Sequence, residues 1–139
     1  MSEKEALEKG LELADRSNIV MLANIDAEGY PHVRAMIKME NEGLDTAWMT
    51  TNTSSDKITQ LEKDTRACLY FVDLEKWMGL TLVGIIEVLR DEKSRRRCWR
   101  DGFEKYYPHG VDDPDYTVLR FTTKWGKYYH GLKKYRFEV

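Results

Sequence analysis

The sequence predicts a mainly β protein, a closed or nearly closed antiparallel barrel of about six to eight strands with two or three short helical insertions. Three observations predict it. Short β-rich runs recur along the whole chain, each bounded by turn-forming residues. The helical patterns are few and brief. No strand–helix–strand alternation repeats, which argues against a parallel sheet covered by helices.

The elements follow in order. Ser2 with Glu5 three residues later forms a capping box. It opens a helix through Arg16, with Leu7, Leu11 and Ala14 as the apolar stripe. Ile19 to Ile25 is a strand, Asp26-Ala27-Glu28-Gly29 a turn, and Tyr30 to Met39 a second strand, so the pair reads as a hairpin. Asn41-Glu42-Gly43 is a further turn, leading into Ala47-Trp48-Met49-Thr50-Thr51. A polar loop then gives way to an amphipathic helix over Asp56 to Asp64, with Thr53 or Ser54 as its N-cap. Arg66 to Asp73 and Leu80 to Leu89 are strands, and Gly84 inside the second marks a bend, a bulge or a close backbone approach. Asp91 to Glu104 reads as a charged helix, followed by a loop through Asp115. Tyr116 to Thr122, Lys127 to His130 and Tyr135 to Val139 complete the strands. With 139 residues and neither linker nor repeat, the chain reads as one domain, 1–139.

Composition narrows the function classes. Twenty-two basic and 24 acidic residues leave a net charge of −2, which gives no global attraction to nucleic acid or to an anionic membrane. No apolar stretch spans a bilayer, and the charged start Met1-Ser2-Glu3-Lys4-Glu5 does not resemble a signal peptide, so a cytoplasmic location is expected. Cys68 and Cys98 offer neither a disulfide framework nor metal spacing. Cys68, in an apolar run, reads as core filler; Cys98, on a helix beside arginines, reads as a bystander. His32, His109 and His130 are scattered without ligand spacing, so no metal is expected. The basic run Lys93, Arg95, Arg96, Arg97 and Arg100 is interrupted by acids and reads as a solvated helix face.

The informative constellation is Trp48-Met49-Thr50-Thr51-Asn52-Thr53-Ser54-Ser55-Asp56-Lys57. A strand ends, hydroxyls cluster and a helix begins. Helix N-termini offer unpaired N–H groups and partial positive charge, which suits phosphate. Lys57 adds a full charge where the helix dipole by itself would prefer an acid. The plain alternative is an ordinary cap beside a solvated lysine. Arg34 is the second informative residue. Facing inward it requires an anionic partner; facing outward it is a surface arginine, and the sequence leaves both open.

In order and spacing these residues resemble the pyridoxamine 5'-phosphate oxidase-like family. The carriers are Gly29-Tyr30-Pro31, Arg34, Thr50-Thr51, Ser55 and Lys57, then Val83-Gly84, Glu87-Val88, Asp91, and Tyr107-Pro108 with Gly110. Within the family the chain looks most like the general-stress-protein subgroup. The resemblance implies an antiparallel split β-barrel of the FMN-binding type, forming a homodimer with FMN at the subunit interface. It assigns Arg34, Ala35 and Met36 to the strand that lines the flavin and phosphate, and Thr50, Thr51, Ser55 and Lys57 to the phosphate. Two departures bear on the ligand: Asp56 stands where the oxidase has an arginine, and Met39 where it has a lysine, with Lys38 on the opposite face. The oxidase's C-terminal substrate signature is not evident in Lys133 to Val139, so vitamin B6 oxidation is not expected.

The resemblance thus implies an FMN-dependent oxidoreductase acting on an unknown small molecule, with no catalytic side chain evident. The alternatives are a non-catalytic flavin or small-ligand module, such as a stress-related sensor or store, and a binder of another planar cofactor such as a deazaflavin or haem. Trp125, Tyr128 and Tyr129 are candidates for covering a flavin ring, with core packing the other reading.

Overall fold

Seven strands form one antiparallel sheet in the order β3-β2-β1-β4-β5-β6-β7, and a further pairing of β3 with β6 closes six of them into a barrel. The computed structural model describes residues 1–139. Its strands are β1 (Ile19–Ile25), β2 (Pro31–Glu42), β3 (Thr46–Asn52), β4 (Arg66–Asp73), β5 (Met78–Leu89), β6 (Tyr116–His130) and β7 (Lys133–Glu138). The helices are α1 (Glu3–Arg16), α2 (Asp56–Lys63) and α3 (Glu92–Cys98). The split-barrel fold is therefore present, with its three short helices.

The barrel is split because β2 changes partners. Residues 31–37 pair with β1, and only after an irregularity between Lys38 and Glu40 does β2 pair with β3. Over Pro31–Ile37 the strand thus has a neighbour on one side alone. The end of β3, Thr50–Asn52, pairs with β6 instead. Helix α2, which follows β3, packs against β1 and β5 and buries Ile58 and Leu61 in the main core.

Period-2 alternation sends Val20 and Leu22 of β1, Leu69 and Phe71 of β4, and Leu80, Leu82 and Ile86 of β5 into the barrel. Each such side chain contributes about 1.5–3 kcal/mol relative to exposure. Gly84 sits at a bulge between Val83 and Gly84, where a Cβ would lie 1.9 Å from the Thr122 carbonyl oxygen. Close backbone approach is its role.

Several boundaries differ from the sequence reading, each for a packing reason. Helix α1 buries Ala6, Gly10, Leu13 and Ala14, while Leu7 and Leu11 are only half-buried. The small residues let the helix axis approach the sheet, and a Cβ on Gly10 would already be 3.3 Å from Leu80. The turn after β2 lies two residues later than expected, at Gly43–Asp45, because β2 continues to Glu42. The N-cap of α2 is Ser55 rather than Thr53 or Ser54. Thr53 and Ser54 are held instead by the β6 side, with the Thr53 hydroxyl donating to the Pro114 carbonyl and the Ser54 N–H to Asp115.

The expected helix over Asp91–Glu104 stops at Cys98. Trp99, Phe103 and Tyr107 turn inward around Tyr116, with ring centroids 5.1–6.4 Å from it, and build a second small core on the outer side of β3. That aromatic cluster overrides helical continuation. The two runs expected at 116–122 and 127–130 form one long strand, β6, whose first half pairs with β3 and second half with β7. No helix is long and apolar enough to cross a membrane.

The outer surface of β2, β1, β4 and β5 is apolar. Ile19, Val33 and Ile37 are 50%, 69% and 55% exposed, and Met21, Ala35 and Tyr70 continue the surface across adjacent strands. Cys68 belongs to this outer face rather than to the core, where it is half-buried, whereas Cys98 is fully buried.

Candidate functional site

Strand alternation decides the orientation of Arg34. It pairs with Leu22, and with Met36 and Lys38 it shares the face that turns into the barrel. Its guanidinium donates from Nη1 to the Oδ1 of Asn24, a residue 2% exposed on β1. Burial lowers the Arg34 pKa from its ordinary value.

Lys57 lies in the first turn of α2 and is buried, 8% exposed. Its ammonium donates to the Ser55 hydroxyl at 2.7 Å. Ser55 makes no side-chain cap bond, so its hydroxyl serves the lysine instead of the helix. Burial lowers the Lys57 pKa, and repulsion from the Arg34 guanidinium lowers it further. Neither cation takes part in an ion pair. Asp56, beside Lys57 in sequence, is exposed and bridges to nothing. Two partly desolvated positive groups that repel one another and lack a counter-ion are chemically suited to accept an anion, because unpaired buried charge is costly.

The other predicted residues fall around this pair unevenly. Thr51 is buried and shares the inward face with Ala47 and Met49. Thr50 points the other way, with Trp48, toward the second core. Ala35 is exposed on the outer face while Met36 is buried on the inner one. What Ala35 and Met36 share is the open backbone edge of β2. Met39 packs in the second core beside Trp48. Lys38 is buried, and its ammonium donates to the Ala14 carbonyl at the end of α1 and to the Asn41 Oδ1. Its hydrogen bonds close the α1 terminus and involve neither Arg34 nor Lys57.

Two residues that the sequence reading passed over belong here. Asn24 Nδ2 donates to Gln60 Oε1 at 3.0 Å, and Gln60 lies one turn beyond Lys57 on α2. The signal was present: Asn24 is a polar residue in the inward register of Val20 and Leu22. The aromatic candidates separate. Tyr128 is core. Tyr129 lies over Gly79 and shares a hydrogen bond with the Tyr70 hydroxyl, and Trp125 stacks under the Arg136 guanidinium at 3.9 Å. A cavity of about 360 Å³ opens over β1, β4 and β5, lined by Ala23, Asn24, Ile25, Cys68 and Val83 with Arg66 and Lys124. Neither Arg34 nor Lys57 lines it, although Asn24, which accepts from Arg34, does. The basic run on α3 is engaged as well: Arg97 reaches Glu40 and Glu42 and stacks on Trp48 at 3.8 Å, and Arg95 donates to the Val111 and Asp113 carbonyls.

The comparisons with known proteins agree with this geometry. No curated protein sequence matches the chain. Among solved structures, a protein from Clostridium acetobutylicum related to general stress protein 26, of the pyridoxinephosphate oxidase family, is 46% identical. The match covers 100% of this chain and 97% of that one, with a TM-score of 0.88. General stress protein 26 from Bacillus anthracis matches over 100% of both chains at 15% identity and a TM-score of 0.75. A heme-binding protein from Mycobacterium smegmatis shares the fold at 21% identity and a TM-score of 0.77, over 96% of this chain and 57% of that one. The sequence profile of the pyridoxamine 5'-phosphate oxidase-like family matches residues 5–137. The chain therefore belongs to the pyridoxamine 5'-phosphate oxidase-like family, in its general-stress-protein subgroup.

Proposed function

We propose that this protein binds FMN and works as a flavin-dependent oxidoreductase on a small molecule, without acting as a vitamin B6 oxidase. The observation that carries the reading is the pair of half-buried Arg34 and buried Lys57, two cations with no carboxylate between them. A terminal phosphate supplies the missing charge, with Ser55 and Thr51 as hydroxyl donors beside it. The open edge of β2 from Val33 to Ile37 offers backbone N–H and C=O groups to a planar ring, which gives Ala35 and Met36 their role. Thr50 contributes through its backbone. When bound, the flavin supplies hydride or single-electron transfer, while the protein positions it and tunes it with nearby N–H groups and charge.

A second copy of the chain completes the assembly in this reading. The outer surface around Ile19, Val33 and Ile37 adjoins the open edge and is too apolar for a solvated sheet face. The protein is then a cytoplasmic homodimer with FMN between its subunits.

The test is direct. Lys57→Ala should weaken FMN binding about 10- to 150-fold, the worth of a charge-assisted hydrogen bond. Fluorescence titration with FMN measures it, and an unchanged dissociation constant removes Lys57 from the site. The purified protein's absorption spectrum separates the cofactors: flavin bands support the proposal, whereas a Soret band would assign this chain haem, as in the heme-binding neighbour.

A further inference from the structure

The anion site contains an unusual choice of residue. On β1 the inward positions run Val20, Leu22, Asn24, and the asparagine is 2% exposed. Its Oδ1 faces the Arg34 guanidinium, which fixes the amide's orientation because a guanidinium only donates. Its Nδ2 then donates to Gln60 Oε1 at 3.0 Å and to the Ile25 carbonyl at 3.3 Å. One amide thus ties the arginine of β2 to the helix that carries Lys57.

A carboxylate would hold the guanidinium more strongly than an amide does, since ionised partners make the stronger hydrogen bonds. Aspartate has the same shape, Gln60 could turn its amide to donate to it, and only the long 3.3 Å contact to the Ile25 carbonyl would be given up. If anchoring Arg34 were the whole task, aspartate would do it better. Its drawback is charge, because it would satisfy the cations internally.

We propose that Asn24 is a positioning residue that sets the charge of the site: it holds Arg34 in place without neutralising it, so that two positive charges remain for a dianionic phosphate monoester. This rests on the phosphate-site reading above. A monoanionic ligand would leave one of the two partly desolvated cations uncompensated, so the site selects a terminal phosphate over a carboxylate or a neutral hydroxyl.

Asn24→Asp and Asn24→Ala distinguish charge from structure. Alanine loses every hydrogen bond of the amide but leaves both cations. Aspartate keeps the shape and removes one net charge. Each variant is assayed for thermal unfolding without ligand, and for binding of FMN and of riboflavin, which has the same ring without the phosphate. The expected result is a crossing. In stability, Asn24→Ala falls below wild type while Asn24→Asp equals or exceeds it. In FMN affinity, Asn24→Asp is the weaker binder, down about 10- to 150-fold. Riboflavin binding by Asn24→Asp stays near wild type, so the preference for FMN collapses. An affinity order that simply follows the stability order overturns the proposal. Should wild type bind inorganic phosphate but neither FMN nor riboflavin, the flavin reading alone fails, and phosphate affinity decides the role of Asn24: a weaker Asn24→Asp supports it and an unchanged one overturns it. A wild type that binds neither FMN nor inorganic phosphate overturns both readings.

Discussion

Gly84 has no room for a single additional carbon. A Cβ there would stand 1.9 Å from the Thr122 carbonyl oxygen and 3.1 Å from the Phe121 ring, and the first contact is backbone that has nowhere to move. Gly84→Ala should therefore cost about 3 kcal/mol, at the upper end for overpacking, measured by urea unfolding. Gly79 is different, because the obstacle to its Cβ is the side chain of Tyr129. At this scale the sequence was informative about residue type and silent about direction. It singled out Gly84, Arg34 and Lys57, but the inward turn of Arg34 follows only from its register against Leu22. Cys68 was misjudged for the same reason, since an apolar run does not say which alternate residues face out. Cys98 reads as a bystander in spite of the arginines beside it, and burial pushes its thiol up to about 11.

Elements carry strain of their own. The turn between β4 and β5 ends at Trp77, which adopts φ 52°, a left-handed conformation that bulky residues rarely take. Its carbonyl accepts from the Gly131 N–H at 2.9 Å, which locks the turn to the neighbouring β6–β7 turn. The indole is 57% exposed, so little burial offsets the backbone cost. Trp77→Gly should stabilise the protein by about 1 kcal/mol, seen as a higher melting temperature. Strands β1, β4 and most of β2 were legible because their apolar patterns and turns are strong and local. Helix α1 was legible in extent but not in its buried face, because close packing selects Ala6 and Gly10 over bulkier leucines. The end of α3 was not legible, since the aromatic cluster around Tyr116 draws on residues from separate elements.

For the whole molecule, the exposed apolar face and the acid response are both testable. If a second copy covers Ile19, Val33 and Ile37, then Ile37→Lys should yield a folded monomer by light scattering, while wild type is a dimer. A wild-type monomer carrying FMN would contradict that assembly. Asp26, Asp64, Asp73, Asp91 and Asp113 have pKa values held below the ordinary 3.8, because each accepts hydrogen bonds at a turn or cap. For Asp64 the hydrogen bonds from Arg66 bring the value down to about 2. A carboxylate with a depressed folded pKa stabilises the fold above its unfolded value and loses that contribution as pH falls through the folded one. Circular dichroism should therefore show stability declining below about pH 4, most steeply toward pH 2. A protein indifferent to acid across that range would show these contacts to be inert.

The departure of β2 from β3 has one more consequence, and it concerns the lifetime of the protein. A half-paired strand next to an apolar surface is a template on which a foreign strand can grow. From Val33 to Ile37 this chain presents such a template, with none of the lysines or prolines that usually blunt an edge within that stretch. A ligand or second copy covering the slot would therefore also guard against fibrillar growth, and its supply would set how long newly made chains persist before they aggregate.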